Sequence, residues 1–382
     1  MTTSRSGYFK RAKRIVIKVG SGVLTVEHGL NLKAVRSISK QICQLNNGGR
    51  EIILVSSGAM AAGIKKIGLP KRPDEIPLRQ AASAVGQAGL IQEYETAFGR
   101  YDKKVAQILL TGEDLNNRKR YLNARNTLHT LLAWKVLPII NENDTVVVDE
   151  IKFGDNDNLS AMIALLMDAQ ILINLTDIDG LYTKDPRVNP DAELIPEINS
   201  ITKNIEKLAG DIPGALGTGG MLSKIRAAKK LNTAGIPMVI AKGLKPDVLP
   251  RLFAGEEEGT FFVPKVKKMA SRKCWIAFTL KPKGTLTIDE GAAEAILKRG
   301  KSLLPSGIVD VEGEFNEGAA VDFKSHRKEK LGTGLVNYGA ADIRRIMGLK
   351  TSKIKAILGH KPYDDVIHRD NLVVTADEIT DG

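Results

Sequence analysis

The sequence has few of the residues that form disulfide frameworks or metal centres. Only Cys43 and Cys274 are cysteines, they lie far apart, and no Cys-x-x-Cys pair occurs. The five histidines show no spacing typical of metal ligands. This composition argues against a disulfide-linked fold and against a zinc site, and it predicts a reducing compartment, the cytoplasm.

Long apolar segments are also absent. The longest apolar stretches hold charges or glycine within about 18 residues, the length needed to cross a bilayer, so we expect no membrane span and no membrane partner. The first 14 residues are basic and polar and lack the apolar core of a secretory signal. We expect residues 1–13 to form a flexible N-terminus.

Two common nucleotide-binding signatures are missing as well. No Gly-x-x-x-x-Gly-Lys-Ser/Thr motif occurs, and no Gly-x-Gly-x-x-Gly follows the first predicted strand, which argues against a P-loop enzyme and against hydride transfer. The net charge of +12 suits anionic partners such as nucleotides, acidic metabolites or nucleic acid. A solvated basic surface is the favoured explanation of that charge.

Residues 14–260 alternate short apolar runs with amphipathic helical stretches. The runs are mostly continuous, as expected for strands covered on both faces. We predict strands at 15–19, 51–55, 105–110, 136–141, 171–175 and 237–241. This alternation predicts an α/β fold with a doubly wound, mainly parallel sheet. Such sheets bind ligands at the carboxyl ends of their strands.

The composition changes near residues 256–264, where three glutamates are followed by basic residues, and we place a linker at 261–273. Beyond the linker, short strands are predicted at 275–279, 284–288, 309–314, 319–323 and 332–336, with one helix within 287–299. The sequence therefore predicts a small, mostly β domain over 274–370, followed by an acidic tail at 371–382.

Small residues follow the first two predicted strands. Lys18 is followed by Gly20 and Gly22, so that a cation stands beside a loop whose backbone N–H groups can approach phosphate. Residues 56–59 lead into a helix start and offer donors for a carboxylate. For each segment alone, an ordinary strand end or helix cap is the favoured explanation.

Two clusters of Asp and Asn follow the strand at 136–141, one at 141–144 and one at 154–158. Such side chains hold an ammonium group, orient lysines or hold hydrated Mg²⁺. Turn formation is the alternative explanation. Two clusters in one strand–loop–helix region favour the functional one.

A glycine-rich turn at 217–220 leads into a helix that carries Lys224 on its first turn, and Thr176-Asp177 ends another strand. Backbone donors, the positive helix end and an ammonium group can serve one phosphate chain, although a flexible linker is the alternative. Two separated lysines, two glycine-rich turns and an Asp/Asn cluster are typical of phosphoryl transfer.

In their order along the chain, these segments resemble the amino acid kinase family, from residue 15 to about residue 369. Three strings are specific to the branch that phosphorylates glutamate: Asn-Glu-Asn-Asp at 141–144, Gly-Asp-Asn-Asp-Asn-Leu-Ser-Ala at 154–161 and Gly-Thr-Gly-Gly-Met at 217–221. The resemblance implies the amino acid kinase fold and ATP-dependent formation of L-glutamate 5-phosphate, the first step of proline biosynthesis. It also implies inhibition by proline. No general base is needed, because a glutamate carboxylate with a pKa of about 4.3 is already ionised.

The resemblance also implies residue roles. Lys18 and Lys224 would neutralise the phosphoryl group, and Asp157 would orient both lysines. L-glutamate would be bound by Ser57, Asp144 and Asn156. ATP would be bound by Lys18, Thr176, Asp177, Thr218, Gly219, Gly220, Met221, Leu222, Ser223 and Lys224. Mg²⁺ would arrive with the nucleotide, without a metal site of the protein's own.

The C-terminal region resembles the PUA domain, on the strings at 287–292, 300–307 and 332–339. PUA domains elsewhere bind structured RNA, so an RNA-linked regulatory role is the alternative function that this resemblance implies. Family members are usually dimers or tetramers, and we expect a homo-oligomer here.

Overall fold

The computed structural model describes residues 4–27, 29–147, 156–210, 220–265, 271–278 and 280–375. The chain divides into two compact units, Met1–Lys268 and Met269–Gly382. The boundaries predicted at 260 and 274 fall on either side of this division. In the described ranges, no helix is both long enough and apolar enough to cross a membrane.

The first unit is built on an eight-stranded sheet in the order β5-β6-β4-β1-β7-β9-β10-β8. All neighbours in it are parallel except β9 and β10. Its strands are β1 Arg14–Val19, β4 Glu51–Ser56, β5 Val105–Leu110, β6 Leu137–Glu142, β7 Ile171–Thr176, β8 Glu197–Ile198, β9 Met238–Lys242 and β10 Thr260–Phe262, and a separate ribbon pairs β2 Thr25–Val26 with β3 Gly29–Leu30. The predicted mainly parallel α/β sheet is confirmed.

Helices in the first unit connect and cover these strands. They are α1 Arg5–Arg11, α2 Ser21–Leu24, α3 Leu32–Asn47, α4 Ala59–Ile67, α5 Ile76–Gly99, α6 Gly112–Asn116, α7 Arg118–Ala133, α8 Asn156–Leu166, α9 Lys203–Gly210, α10 Met221–Ala234 and α11 Val248–Ala254, with a 3₁₀ turn at Asp144–Val146. β1 and β7 are almost entirely buried. Central strands covered on both faces need continuous apolar residues, which explains their composition.

Helix α1 differs from the flexible N-terminus expected for this segment. Ser4 caps the helix by accepting a hydrogen bond from the Gly7 N–H. Phe9 is buried. Its ring is edge-on to that of Phe253, with 5.3 Å between the ring centroids, and is tilted against that of Phe261, with 6.1 Å between the centroids. Burial of this aromatic side chain holds residues 5–11 against the unit.

Helices α4 and α5 approach each other backbone to backbone. A Cβ atom on Gly63 would lie 1.7 Å from the carbonyl oxygen of Ala82, and one on Gly86 would lie 1.8 Å from that of Ala59. Only glycine permits this approach, because any side chain would overlap the facing main chain. The pair therefore fixes α4 and α5 relative to each other.

The second unit has its own core around a five-stranded sheet in the order β12-β11-β13-β14-β15. Its elements are α12 Ser271–Phe278, β11 Thr285–Ile288, α13 Glu290–Arg299, β12 Ile308–Glu312, β13 Ala320–Lys324, β14 Lys330–Leu335, α14 Ala340–Ile346, α15 Ile354–Leu358 and β15 Leu372–Val374, with 3₁₀ turns at Pro305–Gly307, Thr351–Lys353 and Arg369–Asn371. The predicted small β-rich domain is confirmed. The strand predicted at 275–279 is wrong, since residues 271–278 are helical.

Candidate active site

The carboxyl ends of β1, β4, β6 and β7 open into one cavity of about 690 Å³. Lys18, Ser57, Asn141 and Thr176 line it at or next to these strand ends. β1 lies between β4 and β7 in the sheet, so the chain crosses in opposite directions on its two sides. That switch point is where doubly wound sheets open a ligand crevice.

Two lysines meet at one buried carboxylate in this cavity. The Nζ of Lys18 lies 2.6 Å from Oδ1 of Asp157, and the Nζ of Lys224 lies 3.2 Å from Oδ2. The side chains of the lysines are 6% exposed and that of Asp157 is 1% exposed. The structure thus brings together the three residues predicted for catalysis.

Two neutral donors complete the surroundings of Asp157. The amide of Asn174 donates to Oδ1 at 2.8 Å, and the hydroxyl of Ser223 donates to Oδ2 at 2.5 Å. Burial alone would raise the pKa of Asp157, but the charges of Lys18 and Lys224 and the hydrogen bonds hold it well below its ordinary value. Asp157 is therefore ionised whenever the protein is folded near neutral pH.

Asn174 was not among the residues predicted for the site. It is completely buried within β7 and lies directly opposite Lys18 in the β1–β7 register. A single amide between the apolar residues 171–173 and 175 of a buried strand is the signal that identifies it, because a buried polar group needs a partner. Ser223 was predicted only as a nucleotide-binding residue.

The starts of two helices place Asp157 and Lys224 at the cavity. Asp157 lies in the first turn of α8 and Lys224 in the first turn of α10. α10 begins after Gly220, which has no capping side chain, so its first backbone N–H groups have no side-chain acceptor from the cap. The positive helix ends therefore add to the charge of the lysines at this side of the cavity.

The same cavity holds the residues predicted for the acceptor. The amide nitrogen of Asn156 lies 2.9 Å from Oγ of Ser57 and 3.0 Å from Oδ1 of Asn141. Oδ1 of Asn156 is buried and has no hydrogen-bond partner within the described ranges. It is an acceptor available to a ligand.

Asp144 begins the 3₁₀ turn after β6 and also lines the cavity. Burial raises the pKa of Asp144 above its ordinary value, and the side chain of Ser83 acts in the opposite direction. A carboxylate in this environment gains from a cationic group placed next to it. An ammonium group fits that requirement.

The predicted nucleotide residues are brought to the same cavity only in part. Thr176 donates to Oδ1 of Asp177 at 2.9 Å, and both residues line the cavity. A Cβ atom on Gly22 would lie 2.9 Å from Cγ of Asp177, so glycine lets the two loops approach. Gly220, Met221 and Leu222 form the start of α10, whereas Thr218 and Gly219 lie outside the described residues.

A doubly wound sheet with two buried lysines at a shared carboxylate defines an enzyme of the phosphotransferase class. Residues 13–242 match the model of the amino acid kinase family, and residues 284–358 match that of the PUA domain. The chain belongs to the amino acid kinase family.

Curated relatives match over nearly the whole chain. Glutamate 5-kinase of Geobacter sulfurreducens is 52% identical over 371 residues, which cover 97% of this chain and 100% of the relative. Glutamate 5-kinase of Syntrophus aciditrophicus is 50% identical over 374 residues, 98% of this chain and 97% of the relative. Glutamate 5-kinase of Caldanaerobacter subterraneus subsp. tengcongensis is 51% identical over 94% of this chain and 97% of the relative.

Proposed function

We propose that this chain transfers the γ-phosphoryl group of ATP to the side-chain carboxylate of L-glutamate. The observation that carries the proposal is that one cavity holds both the two lysines on one carboxylate and the acceptor groups of Asp144 and Asn156, whose Oδ1 has no partner in the described ranges. The cavity thus offers positive charge to a phosphoryl group and acceptors to an ammonium group. The relatives named glutamate 5-kinase support glutamate as the acid.

Lys18 and Lys224 neutralise the charge of the transferring phosphoryl group. A glutamate carboxylate oxygen forms a bond to the γ-phosphorus while the bond to the β–γ bridging oxygen breaks, and ADP leaves. Asp157 keeps both ammonium groups at this point, so no reorganisation is needed when charge develops. The nucleophile is already ionised near neutral pH, so no residue has to remove a proton.

The acceptor is positioned by its amino-acid end. Asp144 and Oδ1 of Asn156 accept hydrogen bonds from its ammonium group, and Ser57 lies beside Asn156 at the amino end of α4. Ionised Asp144 gains a positive neighbour on binding, which offsets the cost of its burial. This arrangement favours an amino acid over a simple dicarboxylic acid.

Mg²⁺ accompanies ATP in this proposal and supplies charge neutralisation on the phosphates. Outside the undescribed segments, no group of three His, Cys, Asp or Glu side chains lies close enough to hold an ion. A magnesium ion bound mainly by phosphate oxygens and water needs no such cluster. Asp177, which follows the carboxyl end of β7 and lines the cavity, is the carboxylate that we expect to contact the water molecules around the magnesium ion.

An ADP-release assay across glutamate, aspartate and N-acetylglutamate tests the function. We expect turnover with ATP, Mg²⁺ and glutamate, and little with the other two acids. Lys224→Ala should retain its fold and lose at least about 100-fold in kcat, because it removes transition-state charge neutralisation. Full activity of that variant contradicts the mechanism. Turnover with another acid but not with glutamate contradicts the substrate.

Proline is proposed as an inhibitor that competes at the acceptor side of the same cavity. It carries an ammonium group next to a carboxylate, so it can use Asp144 and Asn156 as glutamate does. The same assay repeated with proline should show a higher KM for glutamate at unchanged kcat. An enzyme that proline leaves unaffected would contradict this proposal.

RNA binding by the second unit is the alternative function, and its support is the match to the PUA domain. A filter-binding titration with structured RNA at several salt concentrations tests it. If the second unit contacts RNA phosphates, its affinity for RNA should fall steeply as the salt concentration rises. An affinity that does not change with salt contradicts such contacts. We further propose a cytoplasmic homo-oligomer, a dimer or a tetramer, which light scattering can measure.

A further inference from the structure

Ser83 has a buried hydroxyl group that has no role in the proposed phosphoryl transfer. It lies on α5, has no exposed surface and lines the cavity. Its hydroxyl lies beside the Asp144 carboxylate, and a hydrogen bond from it acts to lower the pKa of that group. Its Oγ accepts no hydrogen bond from the residues that the structure describes. A buried hydroxyl oxygen with an unused acceptor position is available to a ligand.

Helix α5 forms hydrogen bonds with both ends of the segment 142–147, which contains Asp144. The amide of Gln80 donates to the Val147 carbonyl oxygen at 3.0 Å, and that of Gln87 approaches the Glu142 carbonyl oxygen at 3.4 Å. Positions 80, 83 and 87 are three and four residues apart, so they share one face of the helix. Ser83 is therefore the central residue of the face that holds this segment.

The same helix is fixed to α4, which forms another part of the cavity wall. Gly63 and Gly86 join α5 to α4 through direct backbone contact, and Gly58 and Ala59 at the start of α4 line the cavity. Side-chain rearrangement cannot change this spacing. Ser83 thus has a fixed position relative to Ser57 and Asp144.

Asn156 and Ser83 have matching properties in this cavity. Each has a buried oxygen that accepts no hydrogen bond from the described residues, Oδ1 in Asn156 and Oγ in Ser83. Both lie near the end of β6, Asn156 through Asn141 and Ser83 through Asp144. An ammonium group has three N–H donors, and a serine hydroxyl can accept one hydrogen bond while it donates another.

We propose that Ser83 is an acceptor-binding residue that makes the site selective for an amino acid, because its hydroxyl accepts a hydrogen bond from the ammonium group of the substrate and donates one to Asp144. Asp144, Asn156 and Ser83 then supply one acceptor for each of the three N–H bonds. This inference rests on the proposed function, since it assumes that the acceptor is glutamate.

Comparison of glutamate with glutarate, which lacks the ammonium group, tests the assignment. Ser83→Ala should raise KM for glutamate about fivefold, the effect of one ordinary hydrogen bond, with kcat and KM for ATP unchanged. KM for glutarate should stay within about twofold of the wild type, by the same reasoning. The preference for glutamate over glutarate then falls about fivefold.

Two further variants separate hydrogen bonding from packing. Ser83→Thr keeps the hydroxyl and should retain the preference, whereas Ser83→Cys keeps the size, bonds weakly and should behave like Ser83→Ala. Thermal melting confirms that each variant is folded. If the extra methyl group of threonine prevents folding, the comparison of cysteine with serine still decides.

The outcomes distinguish the two proposals. A wild-type protein that does not phosphorylate glutamate overturns the proposed function and the ammonium-bearing acceptor with it. Wild-type turnover with an unchanged glutamate-to-glutarate preference in Ser83→Ala overturns the Ser83 assignment alone. An equal loss with both acids also overturns it, because a structural role would affect both.

Discussion

Lys18 and Lys224 reach opposite oxygens of one carboxylate, although 206 positions separate them in the chain. Asp157 joins strand β1 to helix α10 at the point where phosphoryl transfer is proposed. Each oxygen accepts from one lysine and one neutral donor. The carboxylate thus receives four donors, and the ammonium groups have positions set before any ligand binds.

Asp157→Asn should lower both activity and stability. The change leaves two buried ammonium groups without their carboxylate, and removal of one partner from a buried ion pair costs about 3–5 kcal/mol. We expect kcat to fall by at least about 100-fold. Urea unfolding and the ADP-release assay measure the two effects. Asp191→Asn, which removes an ion pair with Lys184 in which both side chains are more than half exposed, should change neither.

Asn174→Leu should reduce kcat about three- to tenfold with little change in either KM, because one hydrogen bond that orients Asp157 is lost. Leucine is similar in volume and suits a buried strand, so the fold should persist. Ser223→Ala removes the neutral donor at the other oxygen. If the donors act on one carboxylate, the double variant should deviate from additivity. Unchanged kcat in Asn174→Leu would refute a role for this residue.

Gly86→Ala should destabilise the first unit by about 2 kcal/mol or more, because its Cβ would overlap the carbonyl oxygen of Ala59. Gly89→Ala is the matched control on the same helix, since a Cβ there meets nothing within 4 Å. Alanine at position 89 should stabilise the protein by about 0.5–1 kcal/mol. Equal melting temperatures for the two variants would contradict the close approach.

Acceptor binding should weaken on the acid side at a pH above the ordinary pKa of aspartate, about 3.9. Burial raises the pKa of Asp144, so the group takes up a proton sooner as the pH falls. The neutral form no longer attracts an ammonium group. KM for glutamate should therefore rise as the pH falls through the raised pKa of Asp144. In Asp144→Asn, KM should be high already at neutral pH and should not show the rise that is due to protonation of Asp144. A pH series of initial rates measures it.

Phe9→Ala should cost about 3–5 kcal/mol of stability, the range for removal of a buried aromatic side chain. Its ring packs between α11 and β10 through Phe253 and Phe261. Lys10→Ala, one residue further along and exposed, should have little effect. Similar denaturation midpoints for the two variants would show that α1 contributes nothing to the first unit.

Much of the first unit could be predicted because its signals are local. Each of its six predicted strands lies within one residue of an observed strand, since continuous apolar runs mark strands covered on both faces. The order of the strands is not local. Nothing in the runs themselves indicates that β1 lies between β4 and β7, and it is this order that brings Lys18 to Asp157.

The places where the structure differs from the sequence-based predictions have identifiable physical causes. The small residues at 56–59 predict the start of helix α4, but nothing in its glycine- and alanine-rich first turns predicts how far the helix extends. Residues 275–278 are apolar and their pattern predicts a strand, but a short apolar run does not distinguish a strand from a buried helix. Ser83 gave no signal at all, because its importance depends on which wall of the cavity α5 forms.

The contact between Gly63 and Gly86 sets the distance between helices α4 and α5 through main-chain atoms. Both helices contribute residues to the cavity, Ala59 from one and Ser83 from the other. A substitution that forces the two helices apart therefore displaces two parts of the cavity wall at once. We expect such a change to alter acceptor binding and stability together.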